Sequence, residues 1–266
     1  MVLAIILIGF GLFSGLMAGL LGIGGGIVFL PLSKLYFIDY LGYDVSFVKI
    51  LFATSSAIII VNSSSSLYRH YKLGNVHFKL WPYLLLPTIV GTQIGGYFTK
   101  ISTPEFLKYV LTFLLLLAAI KMFFFKKEDV EERAMTKRNK ILLLISVFLI
   151  SILASMLGIG GGAFMVPILF ILSGLSFKKV VGTAPMFKFF VSVSSTIFYL
   201  ANTTDIKAID GHIQLGYVDL NIWLFTAIGG LFGAQFGALL LNKIPTKLVK
   251  NVFIILLLFS AYKMIF

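Results

Sequence analysis

A chain of 266 residues with 59% hydrophobic side chains, 12% charged ones and a mean hydropathy of +1.03 is not an ordinary water-soluble domain, which carries about 25% charged residues. Apolar stretches of roughly 20 residues, enough to cross a bilayer as a helix, recur from Val2 to the last residue, so the sequence reads as an all-α polytopic membrane protein without room for a separate soluble catalytic domain. The net charge of +12 then belongs to membrane loops, and no nucleic-acid partner is expected.

The N-terminal stretch is apolar from Val2, lacks a positively charged leader and is expected to stay in place as the first membrane segment. It opens a long apolar segment, residues 2–37, broken at Leu21–Gly26 by LGIGGG, with Pro31 after four further residues. Uninterrupted spans are predicted near 47–67, 80–99 and 104–125. The charged stretch KKEDVEERAMTKRNK, from Lys126 to Lys140, separates these from a second broken segment, 141–175, with LGIGGG at Leu157–Gly162 and then Pro167. Spans near 180–201, 220–241 and 246–266 complete the chain. The expected organisation is a first transmembrane repeat at 1–125, a linker at 126–140 and a second repeat at 141–266. With no cysteine there is neither a disulfide nor a thiolate metal site. His70, His77 and His212 read as residues of polar connections, so no metal or other cofactor is expected.

The halves match in order. LGIGGG and its proline recur at an offset of 136 residues, and Ala53-Thr54-Ser55 corresponds to Gly182-Thr183-Ala184 at 129. At an offset of 142, Leu73-Gly74-Asn75-Val76 matches Leu215-Gly216-Tyr217-Val218, Trp81 matches Trp223, Gly91-x-Gln93-x-Gly95 matches Gly233-x-Gln235-x-Gly237, and Lys121-Met122 matches Lys263-Met264. This is the signature of a duplicated transporter-like unit.

Three glycines followed by a proline make a poor helix interior, each glycine costing about 1 kcal/mol relative to alanine. The broken segment is therefore one kinked span or a hairpin that turns back. Basic residues favour the hairpin. It gathers Arg69, Lys72, Lys79, the seven basic residues from Lys121 to Lys140, Lys178, Lys179, Lys243, Lys247 and Lys250 on one face. The other face keeps Lys34, Lys49, Lys100, Lys108, Lys207 and Lys263, balanced by Asp39, Asp44, Glu105, Asp205, Asp210 and Asp219. By the positive-inside rule the first face is cytoplasmic. Each half then crosses an odd number of times, so the repeats are inverted and both termini lie outside. The basic face would also favour anionic inner-leaflet lipids.

A helix that restarts after a triple glycine offers unpaired N–H groups and about half a positive charge, with no side chain to hold a ligand away. Two inverted breaks would aim such ends, Gly24, Gly25 and Gly26 with Gly160, Gly161 and Gly162, at one midplane anion site. The competing reading is close helix packing through small residues. Neither a dinucleotide fingerprint nor a phosphate loop is present, because Ile27 stands where GxGxxG needs glycine and no Lys-Ser/Thr follows. Polar residues near the midplane are Thr54, Ser55, Asn62, Ser64 and Ser65 in one half, Thr183, Ser192, Ser194 and Ser195 in the other, and Gln93 and Gln235. A hydroxyl among them can instead bond back to its own helix, and the glutamines can be helix contacts. Lys188 is the one ionisable residue deep in an uninterrupted span. It either complements an anion or snorkels towards the face of Lys178 and Lys179. No Asp or Glu falls deep inside a span, which argues against a cation site and a carboxylate proton relay.

LGIGGG and its proline in both halves, the Ala-Thr-Ser and Gly-Thr-Ala segments, and the LGxV and GxQxG elements resemble the sulfite exporter TauE/SafE family over essentially the whole chain. The resemblance implies a multi-pass plasma-membrane transporter for small sulfur-containing anions such as sulfite, sulfonates or sulfoacetate. The chain departs from the family pattern at Ala184-Pro185, where Thr-Ser and an apolar residue are more usual, and at Lys188. The leading expectation is a secondary carrier of a small anion working by alternating access, not an enzyme. Its substrate-binding residues are expected among Gly24–Gly26, Thr54, Ser55, Gln93, Gly160–Gly162, Thr183, Lys188 and Gln235. Rival readings are an anion channel of the same architecture, a membrane-embedded enzyme using one of the serines, and an assembly protein with no substrate. The expected partners are the substrate anion and membrane lipids.

Overall fold

Helices follow the apolar stretches and mostly end at glycines or polar turns, while Pro31, Pro87, Pro167 and Pro185 lie inside helices. The computed structural model describes residues 2–22, 24–124, 134–207, 209–241 and 243–265, so the expected linker lies outside it up to residue 133. The first half contains α1 (Val2–Leu21), α2 (Gly26–Ser33) with a π-helical continuation (Lys34–Tyr40), α3 (Val48–Lys72), α4 (Trp81–Ile101) and α5 (Pro104–Phe124). The second contains α6 (Lys137–Met156), α7 (Gly162–Ser173), α8 (Phe177–Ala201), α9 (Leu220–Leu241) and α10 (Thr246–Ile265). A two-residue antiparallel ladder, Gln214–Leu215 with Val218–Asp219, precedes α9. Among the described residues five helices are long and apolar enough to cross a membrane. This is an all-α polytopic membrane protein.

Capping is local and legible. Thr136 accepts a hydrogen bond from the Asn139 backbone at the start of α6 (3.2 Å), and Asp219 accepts from the amides of Asn221 (3.0 Å) and Ile222 (2.9 Å) at the start of α9. Asp44 accepts from Ser46 N (2.8 Å) in the turn that opens α3.

Both broken segments are hairpins. Gly25 lies against the carbonyl of Ser14 in α1, and Gly161 against Ile150 and Ala154 in α6, so in each half the chain doubles back beside the helix it has just left. Asn139 Nδ2, at the start of α6, donates to the carbonyl of Leu172, near the end of α7 (3.2 Å). Phe10 and Tyr36 meet edge to face across the first hairpin, with ring centroids 6.2 Å apart. The single kinked span is thereby excluded.

The halves interlock. Helix α1 packs on α9 and α6 on α4, α3 crosses α8, and α5 lies along α10, so each helix contacts the repeat-mate of its partner's equivalent. Glycines decide how close the first two pairs come. A Cβ on Gly11, Gly15 or Gly19 of α1, or on Gly229, Gly233 or Gly237 of α9, would overlap the backbone of the opposing helix. Gly91 and Gly95 of α4 do the same against α6. This is small-residue packing of the kind that replaces hydrophobic collapse in lipid. Large apolar side chains such as Leu86, Phe113 and Ile255 cover the outside, 64–70% exposed, as a lipid-facing surface does.

Helices α3 and α8 run antiparallel. The connection after α3 docks on the start of α8, where His77 N donates to Thr183 Oγ1 (2.9 Å). The connection before α9 docks on the start of α3, where Asp219 N donates to Thr54 Oγ1 (3.0 Å). These two bonds are repeat equivalents. The same grouping sorts the connections into two ends. At one, Lys49 Nζ reaches the carbonyl of Lys100 (3.1 Å) and Lys100 Nζ reaches Asn202 Oδ1 (3.3 Å). At the other, His77, Lys79, Lys140 and Ser173 line a common cleft.

Candidate functional site

The glycines of the two LGIGGG motifs adopt the same backbone. Gly22, Gly24 and Gly25 have φ of 68°, 86° and 82°, and Gly158, Gly160 and Gly161 have 62°, 65° and 68°. All lie in the left-handed region, which only glycine enters without strain. Gly26 and Gly162 then begin α2 and α7.

The breaks meet at the crossing of α3 and α8. A Cβ on Gly26 would stand 2.8 Å from the carbonyl oxygen of Gly158, and Ser55 Oγ donates to that same carbonyl (2.7 Å). Ile59 of α3 and Lys188 of α8, equivalent at the 129-residue offset, both face the breaks. A Cβ on Gly24 would lie 3.0 Å from Lys188 Cδ and 3.4 Å from an Ile59 methyl, and one on Gly160 3.8 Å from Lys188 Cγ and 3.2 Å from Ile59. The Lys188 stem therefore runs between the two glycine motifs.

Lys188 is 0% exposed, and its Nζ has no hydrogen-bond partner among the described residues. It does not snorkel. The buried carboxylate among the described residues, Asp219, is committed elsewhere, accepting from His212 Nδ1 (2.8 Å) as well as from its two capping amides. A buried, unpaired cation is costly. The restarting helix ends add partial positive charge at the same crossing.

Of the other expected site residues, Ser55 reaches the glycine breaks directly. Thr54 and Thr183 are buried nearby, with their hydroxyls taken by the Asp219 and His77 amides. Gln93 and Gln235 are exposed on the outer sides of α4 and α9. Gln93 bonds Ser194, Nε2 to O at 3.3 Å and to Oγ at 3.1 Å. The glycines flanking each glutamine face the partner helix, and a residue two positions along a helix points the other way. Sequence reasoning placed His70 in a polar connection. It lies instead inside α3, fully buried, because the helix continues to Lys72, past the end of its apolar stretch. Asn62 is buried beside the first break, its Nδ2 2.8 Å from where a Gly25 Cβ would stand, with neither amide atom hydrogen-bonded.

A family model described as Sulfite exporter TauE/SafE matches residues 7–264. The chain belongs to the sulfite exporter TauE/SafE family. Relatives of this TauE/SafE chain include a probable membrane transporter protein of Haemophilus influenzae, 27% identical over 256 residues (96% of this chain, 95% of the relative). A probable membrane transporter protein of Bacillus subtilis is 25% identical over 282 residues (98% and 97%), and one of Methanocaldococcus jannaschii is 28% identical over 250 residues (91% and 87%). No solved structure gives a significant match. This TauE/SafE protein is a multi-pass membrane transporter.

Proposed function

We propose that the protein is a secondary carrier moving a small anion, a sulfur oxyanion such as sulfite or a short organosulfonate, across the plasma membrane by alternating access. One observation carries the anion assignment: the amine of Lys188 is buried at the meeting point of both glycine breaks with no hydrogen-bond or carboxylate partner among the described residues. The sulfur chemistry rests on the family description. The two repeats are inverted across the bilayer, a reading supported by the antiparallel crossing of α3 and α8 and by the equivalent Thr54 and Thr183 bonds. The charged linker end is cytoplasmic and both termini lie outside, in keeping with the basic residues gathered there. Gly24–Gly26, Gly160–Gly162, Ser55 and Lys188 hold the substrate, with Thr54 and Thr183 positioning the helices that carry it. Gln93 and Gln235, on the outer sides of α4 and α9, support the packing around that site.

A carrier is favoured over a channel because the crossing is closed, with Lys188 shielded from both ends. The test is uptake of labelled sulfite, thiosulfate and short sulfonates into proteoliposomes. Saturable uptake with counterflow is expected. Uptake without counterflow would indicate a channel, and no uptake of any of these anions under varied gradients would remove the sulfur assignment.

A further inference from the structure

The serines near the crossing are not alike. In the run Ser63–Ser66, Ser63 Oγ bonds back to Ile59 O (2.5 Å), Ser64 Oγ to Ile60 O (2.6 Å) and Ser65 Oγ across to Leu231 O (2.8 Å). Ser66 is fully buried with no partner among the described residues. On α8, Ser194 Oγ pairs with Thr92 Oγ1 (2.6 Å), whereas the buried Ser192 and Ser195 are unpartnered among the described residues. A buried hydroxyl left unmatched costs about 1–3 kcal/mol, so a set of them on one face calls for an explanation.

Many of the unmatched groups, though not Gln214 Oε1 in the connection before α9 or Thr226 Oγ1 on α9, fall on two helical stripes. Asn62, Ser66 and His70 are four residues apart along α3, and Lys188, Ser192, Ser195 and Tyr199 follow spacings of four, three and four along α8, each set sharing one face. Because α3 and α8 are antiparallel and cross at Ile59 and Lys188, the α3 stripe leads from the crossing towards the end formed by residues 73–80 and 134–140. The α8 stripe leads towards the opposite end, formed by residues 42–47 and 202–219.

The last residue of each stripe makes the same contact. His70 and Tyr199 are equivalent at the 129-residue offset, and Gly19 and Ser155 at 136. His70 Nε2 donates to the carbonyl of Gly19 (3.3 Å), and Tyr199 OH donates to the carbonyl of Ser155 (2.7 Å). Each bond ties its stripe to the first helix of its own repeat, just before the glycine break. His70 is 0% and Tyr199 1% exposed.

We propose that the substrate's path is this file of buried polar side chains, with Asn62 and Ser66 leading from Lys188 to one end of the bundle, Ser192 and Ser195 leading to the other, and His70 and Tyr199 closing the two ends. The inference rests on the reading of Lys188 as the substrate site and extends it to both faces. Hydroxyl and amide donors suit a small anion that sheds part of its hydration shell. Gly25 and Gly230 flank the Asn62 amide so closely that a Cβ could not fit, which sets backbone rather than side chains beside it. Alternate opening of the His70 and Tyr199 contacts would give access to one face at a time.

The chain contains no cysteine, so single cysteines are unique labels. Ser66→Cys, Ser192→Cys and Ser195→Cys, near-isosteric changes, are treated with the membrane-impermeant reagent 2-sulfonatoethyl methanethiosulfonate in sealed vesicles of both orientations. Ser66→Cys should react only from the linker-side end, Ser192→Cys and Ser195→Cys only from the opposite end, and the lipid-facing Ile145→Cys from neither. Adding His70→Ala should speed labelling at 66 about tenfold, the effect of one hydrogen bond, without speeding it at 195. Tyr199→Phe, which removes the bonds of the hydroxyl to both Ser155 O and Thr99 Oγ1 (2.9 Å), should speed labelling at 195 at least as much without speeding it at 66. Folded variants that do not react, or that react from the wrong ends, overturn the path. Rates unchanged by His70→Ala and Tyr199→Phe overturn its closure. Labelling is read without substrate, so the sided pattern stands even if no sulfur anion is carried. Saturable sulfite uptake without sided labelling would overturn the path and leave the carrier intact.

Discussion

Replacing Lys188 by methionine separates stability from function. Methionine matches the lysine stem in length and flexibility, so it refills the space between Gly24 and Gly160 and removes only the ammonium. A lysine at the centre of a membrane span costs roughly 2.5–3.5 kcal/mol on insertion scales, and this one has no hydrogen-bond partner to offset that cost. Lys188→Met is therefore expected to unfold later than the wild type, by roughly 5 °C or more at about 2–4 °C per kcal/mol. It should also lose the anion. A charge-assisted hydrogen bond contributes about 1.5–3 kcal/mol, so affinity should fall at least about tenfold. The assay is thermal unfolding of the purified protein with and without sulfite, because a ligand that binds only the folded state raises the midpoint by mass action. The wild type should shift with sulfite and the variant should not, while starting higher. A variant that melts earlier and keeps its sulfite shift would refute the reasoning on both counts.

Gly24→Ala and Gly160→Ala place a side chain at φ of 86° and 65°, costing about 1–2 kcal/mol each. Transport should drop sharply while the protein still elutes as a folded species, whereas Gly9→Ala, with nothing within 4 Å, should be neutral or slightly stabilising in the same unfolding assay. Gly233→Leu forces a side chain into the α1 backbone and should prevent assembly, read as loss of the monodisperse peak on size-exclusion chromatography. Outside the spans, the hydrogen bond from Ser46 holds the Asp44 carboxyl below its ordinary value of 3.8. That turn is thus fully capped above pH 3.8 and loses its cap as the pH falls through the lowered value, which an NMR titration of Asp44 would follow.

The GxQxG elements show what local pattern can and cannot say. Glycines at positions 91 and 95 share a helix face and position 93 lies opposite, so the separation of packing from polar roles was readable from helical geometry alone. That the glycine face meets α6, and that Gln93 turns to Ser194, depended on which helix lies alongside. His70 was hidden for a related reason. Hydropathy ends a span where apolar residues run out, but α3 continues through Ser63–Ser66 to Lys72 because its polar face is covered by other helices.

The membrane class, the duplication, the sites of the breaks, the hairpins inferred from basic residues, and the family were all legible in the amino-acid order. These follow from composition, from spacing along one segment and from the unique freedom of glycine, all properties of neighbours in the chain. The convergence of both breaks on Lys188, the burial of this lysine and the satisfaction of particular serines depend on helix packing. Ser65 is matched by Leu231 and Ser194 by Thr92, partners far away in sequence, while Ser66, Ser192 and Ser195 are left unmatched. A hydroxyl is identical in every one of these serines, and its role is set by what the fold brings within about 3 Å of it.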